Sequence, residues 1–314
     1  MNIIQQAARR LEELRRSGVE VPQRATPADV GSKGQPSTAG LAPTESRAAD
    51  AGPRASGLPT TAGQLALPGK RSKQVQIDLS HLESMGYITP ESPRSQLSSE
   101  FRVIKRPILT NVRERTTGAV NRANLVMVTS ALPGEGKTFV AINLAMTMAM
   151  ELDTTVLLVD ADVARPSVLP RLGLPGSRGL LDVLIDPSLD LADVILRTNV
   201  PNLSVLPAGA PQARATEFLA SDNMTRLVDQ LASRYSDRIL VFDAPPILPS
   251  TEARVLASHM GQVVVVVEAE RTLQSSVQQT LAALDPCPVV LPVLNKISRS
   301  EVGAHYGYYE PAKA

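Results

Sequence analysis

Residues 127–138 are Met127-Val128-Thr129-Ser130-Ala131-Leu132-Pro133-Gly134-Glu135-Gly136-Lys137-Thr138. An apolar run gives way here to a loop of small residues that ends in Gly-Lys-Thr. This order predicts a strand, a loop and then a helix. The loop should bind phosphate, because its N–H groups and the positive end of the helix attract anionic oxygens. We expect Lys137 to reach the β and γ phosphates of a nucleotide and the Thr138 hydroxyl to ligate Mg²⁺. Ala131 stands where the strict pattern has glycine, so the loop is a variant of that pattern.

The composition of the chain limits the class of protein. The 314 residues include 32 Lys and Arg and 31 Asp and Glu, a net charge of +1. This balance disfavours a nucleic-acid partner. Cys287 is the single cysteine, which fits a reducing compartment, and its apolar neighbours predict an inert buried thiol. Because there is no bilayer-length apolar run and no signal-peptide core, we expect a cytoplasmic protein whose membrane contact is peripheral or through a partner.

The N-terminal quarter of the chain divides into two segments. Residues 1–18 predict a short amphipathic helix, which could dock on its own domain or contact a partner helix or a membrane surface. Residues 19–74 are rich in Pro, Gly, Ser, Thr and Ala and lack aromatic residues, so we expect a disordered linker. An ordered domain over 75–298 and a tail over 299–314 complete the predicted organisation.

The ordered domain is expected to begin with apolar anchors and a charged helix. The anchors are Val75, Ile77, Leu79, Leu82, Met85 and Ile88. A helix is predicted from about residue 95 to 106, where Pro107 ends or kinks it. Arg102, Lys105 and Arg106 on this helix form either a solvated charged face or a subunit contact.

From residue 124 onward the pattern alternates between apolar strands and helices. Strands are predicted at 125–129, 155–159, 203–206, 239–242, 263–267 and 289–294. Helices are predicted at 138–150, 179–184, 215–235, 252–257 and 273–284. Near-continuous apolar strands separated by helices indicate an α/β fold, a P-loop NTPase with a doubly wound, mostly parallel sheet.

Three acidic residues follow strands of this predicted sheet. Asp160 and Asp162 come after one strand, and Asp243 follows the run 239–242 in the form of a Walker B element. Ligands of doubly wound sheets bind beyond the carboxyl ends of the strands. We therefore expect Asp243 to hold the water shell of Mg²⁺, with Thr138, Asp160 and Asp162 also on the metal side. Either Asp160 or Asp162 is the candidate general base.

The end of the chain supplies two further candidates. Asn295 could hydrogen-bond a purine or cap the end of the last strand. Three of the five tyrosines, Tyr306, Tyr308 and Tyr309, lie in the polar tail, where phosphorylation suits them better than burial. The predicted nucleotide-contacting residues are Pro133, Gly134, Glu135, Gly136, Lys137, Thr138, Phe139 and Asn295.

These motifs together resemble the bacterial tyrosine autokinases of exopolysaccharide synthesis, and among them the exosortase-associated branch. Residues 133–138 look like the Walker A element of that family. Asp160-Ala161-Asp162 with Arg165-Pro166 looks like its second Asp-rich motif, 243–246 like its Walker B element, and the tyrosine cluster like its autophosphorylated tail. Arg102 and Lys105 resemble part of the ring-forming contact, with Ser99 in place of its leading Glu.

The resemblance implies a function and its partners. It implies ATP and Mg²⁺ as cofactors and transfer of the γ-phosphoryl group to tail tyrosines, between subunits of a ring. The implied partner is a membrane chain-length determinant, and the implied role is regulation of polysaccharide polymerisation and export.

Two other functions compete with the autokinase. A ParA/MinD-like partition or positioning ATPase would use the same loop as a nucleotide switch, but those proteins carry an extra Lys where this chain has Leu132. A scaffold that binds nucleotide with little turnover is the other. The intact set Lys137, Thr138, Asp160, Asp162 and Asp243 argues against the scaffold.

Overall fold

The computed structural model describes residues 73–92, 95–114 and 120–298. The predicted N-terminal helix, the tail tyrosines and all of the predicted linker except Lys73 and Gln74 lie outside these ranges. Gln74 pairs with Arg197, and the Arg197 N–H donates a 2.9 Å hydrogen bond to the Lys73 carbonyl. The described fold therefore includes two residues before the predicted boundary at 75.

Ten helices and seven strands are formed within the described ranges. The helices are α1 (Leu79–Ser84), α2 (Gln96–Arg113), α3 (Lys137–Ala149), α4 (Val168–Arg171), α5 (Leu180–Ile185), α6 (Leu191–Val194), α7 (Ala215–Leu219), α8 (Asp222–Arg234), α9 (Thr251–Ser258) and α10 (Gln274–Ala283). The strands are β1 (Leu125–Ser130), β2 (Thr155–Asp160), β3 (Leu196–Arg197), β4 (Leu203–Leu206), β5 (Arg238–Asp243), β6 (Gln262–Glu268) and β7 (Val289–Asn295).

The seven strands form one sheet in the order β3-β4-β2-β5-β1-β6-β7. All neighbouring pairs are parallel except β3 and β4. The carboxyl ends of the six parallel strands therefore meet at one edge, with β1 between β5 and β6. This architecture confirms the predicted α/β class, and each predicted strand is present to within about one residue at each end.

Apolar side chains pack on both faces of the sheet. Alternate residues of β1 point to opposite sides: Leu125 and Met127 join the layer formed with α5, α8 and α9, whereas Val126 and Val128 join the layer of α2 and α3. Burial on both faces requires strands that are apolar throughout, which is why these strands lack the alternation of a half-exposed sheet. No helix in the described ranges combines the length and the apolarity needed to cross a membrane.

Helix α2 differs from its prediction at the C-terminal end. It begins after Ser95, whose hydroxyl accepts the Ser98 N–H, but it continues through Pro107 to Arg113. Proline removes one intrahelical hydrogen bond, here to the carbonyl of Val103, a residue that is 64% exposed and open to water. Beyond the proline, Ile108 and Leu109 are buried in the core, and this packing outweighs the lost bond.

Lys105 of α2 does not belong to a solvated charged face. Its side chain is 10% exposed, and its ammonium donates to the Thr147 carbonyl at 2.8 Å and pairs with Glu151 at 2.6 Å. Thr147 lies in the last turn of α3, where free carbonyls attract a cation, and Glu151 lies just beyond the helix. Lys105 is therefore a contact between two helices of one chain, so the prediction of a solvated Lys105 was wrong, whereas a subunit contact of this helix stays a prediction.

The segment before α2 packs against the outer side of α3. Four of its six predicted anchors are buried, Leu79 is partly buried, and Met85 is 42% exposed, so Met85 was wrongly predicted. The Ile88 N–H donates to the side chain of Asn143 on α3 at 2.7 Å. The rings of Tyr87 and Phe139 have centroids 5.1 Å apart. This cover explains why α3 is buried almost all round.

The remaining differences concern short elements. The single helix predicted over 215–235 is interrupted, because the Ser221 side chain accepts the Met224 N–H and starts α8 as a separate helix. The short elements α1, α4, α6 and β3 were not predicted. Cys287 is buried, and burial raises the pKa of its thiol, so the predicted burial is confirmed and the inertness of the thiol stays a prediction.

Candidate phosphate-binding and phosphoryl-transfer site

The loop between β1 and α3 is shaped by two glycines. Gly134 and Gly136 have φ angles of +92° and +99°. A residue with a Cβ adopts such angles only at a cost, so both positions favour glycine. Gly136 is the N-cap of α3, and the first residues of that helix, from Lys137 on, have N–H groups that are free of intrahelical partners. The predicted strand-loop-helix arrangement is present.

The predicted acidic residues gather at the same sheet edge. Asp160 ends β2 and Asp243 ends β5, and the two are register partners on adjacent strands. Asp162 follows two residues after the end of β2. Their relative exposures are 1%, 0% and 4% for Asp160, Asp243 and Asp162. Three buried carboxyl groups therefore lie beside the start of α3.

Lys137 is the cation of this cluster. Its Nζ lies 2.6 Å from Asp162 Oδ2 and 3.8 Å from Asp243 Oδ1. Burial alone would lower the pKa of Lys137, but the charges of Asp243 and Asp162 outweigh it and raise the pKa above its ordinary value. Lys137 is therefore an ammonium that can neutralise either a carboxylate or a phosphate.

Asp160 has one occupied and one unpartnered oxygen. Oδ2 accepts the N–H groups of Ser167 at 3.1 Å and Val168 at 3.0 Å, whereas Oδ1 is buried without a hydrogen-bond partner. Burial, followed by the charge of Asp243, raises the pKa of Asp160 to about 7. Such a carboxyl can change protonation state near neutral pH.

Asp243 is the most enclosed carboxyl group of the site. Neither of its oxygens has a hydrogen-bond partner. Burial raises its pKa to about 6, against the opposing charge of Lys137. Unsatisfied buried oxygens are costly unless a cation or a water shell reaches them.

These oxygens fit a magnesium ion bound together with a phosphate. Among the described residues no group of three His, Cys, Asp or Glu side chains forms a metal cage. Mg²⁺ in phosphate sites uses one or two carboxylates, several waters and the phosphates themselves, so a cage is not required. The oxygens that accept no hydrogen bond, which are Asp160 Oδ1 and both oxygens of Asp243, match that limited protein contribution.

Ser167 is a site residue that the sequence interpretation missed. Its hydroxyl lies 2.9 Å from the Thr138 hydroxyl, and its N–H binds Asp160. It thereby joins the predicted metal-binding hydroxyl to the end of β2. The only sequence signal was a serine before an apolar run, which is typical of a helix start. Arg165 contributes its backbone N–H to Asp162 at 3.2 Å, while its side chain is exposed.

The other flank of the loop contacts the last residue of β7 and the residue that follows it. The Asn295 amide donates to the Glu135 carbonyl at 2.9 Å, and the Lys296 ammonium donates to the Gly134 carbonyl at 2.8 Å. Lys296 also pairs with Glu268 at 3.2 Å. The structure thus places Asn295 against the loop backbone, and its contact with a purine stays a prediction.

Glu135 is held inside the loop by both carboxylate oxygens. Oε2 accepts the Leu132 N–H at 2.8 Å, and Oε1 accepts the Thr272 hydroxyl. The side chain is 3% exposed. No local sequence pattern marks Thr272, so this contact was missed.

Pro133 and Phe139 occupy the two ends of the predicted nucleotide-contacting run. Pro133 is exposed in the loop, whereas the ring of Phe139 packs on Tyr87. Because Phe139 is the third residue of α3, the part of it that can meet an anion is its N–H.

Comparison with known proteins agrees with this geometry. A family model described as an AAA domain matches residues 124–287. The chain is 31% identical to the tyrosine-protein kinase YwqD of Bacillus subtilis over 226 residues, which cover 71% of this chain and 90% of that protein. It is 29% identical to the putative tyrosine-protein kinase CapB of Staphylococcus aureus, over 70% of this chain and 92% of that protein. The crystal structure of the chimerical protein CapA2B2 superposes with a TM-score of 0.55 at 27% identity, covering 71% of this chain and 93% of that one.

Proposed function

This chain belongs to the family of bacterial tyrosine-protein kinases, and we propose that it transfers the γ-phosphoryl group of ATP to its own tail tyrosines Tyr306, Tyr308 and Tyr309. The observation that carries this proposal is the position of Lys137 among three buried carboxyl groups beside a glycine-shaped loop. That combination offers a cation and N–H groups for phosphates, together with acidic groups for a metal and a proton.

Lys137 would change partners during the reaction. In the structure its ammonium is paired with Asp162. A triphosphate in the loop would draw the ammonium to its β and γ oxygens, where it offsets the charge of the transition state. The exchange leaves Asp162 free beside the reacting group.

Asp160 or Asp162 would remove the proton of the tyrosine hydroxyl. Asp160 has a raised pKa and an unpartnered oxygen, and Asp162 becomes available once Lys137 turns to the phosphate. Either carboxylate could accept the tyrosine hydroxyl proton if it lies within hydrogen-bond reach of that hydroxyl. Asp160→Asn and Asp162→Asn, compared at saturating ATP, would identify the base by the larger loss of kcat.

Magnesium is the implied cofactor. When bound, Mg²⁺ supplies charge neutralisation of the β and γ oxygens. The Thr138 hydroxyl, Asp160, Asp162 and Asp243 would hold the ion or its waters.

The test is incubation of the full chain with ATP and Mg²⁺, followed by mapping of phosphate by mass spectrometry. We expect phosphotyrosine in the tail of the wild type and none in Lys137→Met. The variant with all three tail tyrosines changed to Phe should also be unlabelled. Tyr87→Phe, which alters a tyrosine of the folded domain, should label normally. Absence of tail phosphotyrosine, with and without the membrane partner, would overturn the proposal, and phosphate release without labelling would favour a ParA/MinD-like switch.

The setting of the kinase is proposed from the sequence resemblance. We propose an N-terminal helix over 1–18, a linker over 19–74, a kinase domain over 75–298 and an acceptor tail over 299–314. The kinase would act in the cytoplasm, peripherally at the inner membrane, as a ring-shaped homo-oligomer bound to a membrane chain-length determinant. Phosphorylation would regulate exopolysaccharide polymerisation and export, in the exosortase-associated branch of the family.

A further inference from the structure

We propose that Glu135, Thr272, Asn295 and Lys296 form a brace that sets the peptide orientation of the phosphate-binding loop, and that Asn295 acts through this brace and not by recognising the nucleotide base. The proposal deepens the proposed function and rests on it only in requiring that the loop bind a triphosphate. The four side chains are positioning residues, since each contacts the loop or another member of the brace.

The first argument concerns two loop carbonyls. Lys296 binds the Gly134 carbonyl and Asn295 binds the Glu135 carbonyl. In a trans peptide unit the C=O and the following N–H point in opposite directions. Holding these carbonyls toward the end of β7 therefore turns the N–H groups of Glu135 and Gly136 away from β7. Those N–H groups are among the donors that a phosphate-binding loop presents to anionic oxygens.

The second argument concerns the carboxylate of Glu135. A negative side chain inside a triphosphate-binding loop repels the ligand unless its charge is engaged elsewhere. Here one oxygen accepts the Leu132 N–H and the other accepts the Thr272 hydroxyl. Thr272 is itself fixed, because its N–H donates to the Glu268 carbonyl at 3.1 Å and its hydroxyl accepts the Glu268 N–H at 3.1 Å. The carboxylate thus ties the first half of the loop to the segment after β6.

The third argument concerns close packing between the brace and the loop. A Cβ added at Gly136 would collide with the Asn295 amide nitrogen. Lys296 has a φ of +59°, a conformation that non-glycine residues adopt infrequently. The loop and the end of β7 therefore fit each other directly, and the Asn295 amide already donates to the loop.

The experiment compares binding of three ligands that share phosphates and differ in the base. The full chain is titrated calorimetrically with ATP, GTP and inorganic tripolyphosphate, each with Mg²⁺. The variants are Thr272→Val, Asn295→Ala and Lys296→Met, with Gln278→Ala on the exposed side of α10 as the matched control. We expect each brace variant to bind all three ligands about three- to tenfold more weakly, which is the effect of losing one hydrogen bond. The ratio of the dissociation constants for ATP and GTP should not change. Thr272→Ser should restore binding.

The opposite pattern would overturn the proposal. If Asn295 recognises the base, Asn295→Ala changes the ATP to GTP ratio and leaves tripolyphosphate affinity unaltered. Equal binding of tripolyphosphate by wild type and all brace variants, or no binding by the wild type, also refutes the brace. Thermal unfolding without ligand separates loop positioning from loss of fold, since the brace variants should unfold within about 4 °C of Gln278→Ala, the shift expected for one lost hydrogen bond. Because tripolyphosphate binding needs no phosphoryl transfer, a chain that binds it but labels no tyrosine refutes the kinase proposal alone.

Discussion

The ammonium of Lys137 lies between carboxylates that are almost inaccessible to water. Its side chain is 12% exposed, and those of Asp162 and Asp243 are 6% and 0% exposed. A buried charge is tolerated only when it is paired, so this lysine stabilises the fold as well as serving the proposed chemistry.

We therefore predict that Lys137→Met destabilises the chain in addition to abolishing tail phosphorylation. Removing the cation leaves the carboxylates without compensation, which should lower the free energy of unfolding by about 2–4 kcal/mol. Urea unfolding at neutral pH without nucleotide measures this change. The double variant with Asp162→Asn should recover part of the stability but none of the activity. Equal stability of Lys137→Met and wild type would contradict the pairing.

Asp160 gives a prediction about pH. Its pKa of about 7 in the fold exceeds that of an unfolded Asp, near 3.9. Between these values the folded chain binds more protons than the unfolded chain, so this group lowers the free energy of unfolding as the pH rises. Asp160→Asn removes that dependence and keeps an oxygen for the Ser167 and Val168 N–H groups.

We expect the free energy of unfolding of Asp160→Asn to rise relative to that of the wild type as the pH increases. Between about pH 5 and about pH 8 this difference should grow by on the order of 2 kcal/mol. Urea unfolding at several pH values, without Mg²⁺ or nucleotide, measures it. Asp193→Asn, an exposed change distant in sequence, serves as the control. A difference that does not vary with pH would show that Asp160 keeps an ordinary pKa.

The site residues that were predicted from the sequence can each be recognised from the residues next to them in the chain. The loop, Thr138 and the strand-end acids are marked by their immediate neighbours, and the structure brings them to one edge. Thr272 and Lys296 reach the loop across 137 and 162 positions, so no window of the sequence shows the contact.

At the scale of elements, α2 and α3 are joined through one buried cation. Lys105 reaches the last turn of α3 and Glu151 just beyond it. The charge pattern of α2 predicted a helix correctly but could not show which of its basic residues turns inward. That choice depends on the partner helix, which is distant in sequence.

We predict that Lys105→Met lowers the free energy of unfolding by about 1–2 kcal/mol, because the Thr147 carbonyl loses a charge-assisted hydrogen bond. Arg106 is an exposed neighbour on the same helix, and Arg106→Met should change the free energy of unfolding by less than about 0.5 kcal/mol. Urea unfolding gives both values, and sedimentation gives the oligomeric state. A change of oligomeric state without loss of stability would instead assign Lys105 to a subunit contact.

Pro107 shows why the bounds of elements are harder to predict than their presence. A helix was expected to end or kink there, because proline removes a hydrogen bond. The burial of Ile108 and Leu109 on the following turn stabilises the helix beyond the proline, so the predicted end at this point was wrong. The helix ends only at Arg113. Burial of this kind depends on elements that a local pattern does not contain.

For the whole molecule, the fold class followed from strand composition and rhythm. The strand order and the location of β1 between β5 and β6 do not follow from the pattern, because they depend on which crossovers each helix makes. The central location of β1 places the loop between acidic strand ends on one side and the brace on the other.

Transfer between copies of the chain is the prediction at this scale. A mixture of Asp243→Asn, which keeps its tail tyrosines, and the triple tail Phe variant, which keeps its active site, should label the Asp243→Asn tail. Neither variant alone should label appreciably, since one lacks a carboxylate that we propose to hold Mg²⁺ and the other lacks the proposed acceptors. Mass spectrometry of the mixture measures the outcome. An unlabelled mixture beside a labelled wild type would show that transfer occurs within one copy.

The two unlike flanks of the loop also bear on product release. A tyrosine hydroxyl is neutral as it approaches the carboxyl groups of Asp160, Asp162 and Asp243. After transfer the same side chain carries nearly two negative charges. Like charges repel most strongly where burial lowers the effective dielectric, as it does around Asp243. In the proposed kinase the acidic flank would therefore admit the neutral acceptor and repel it once it is phosphorylated, which would clear the site for the next tyrosine.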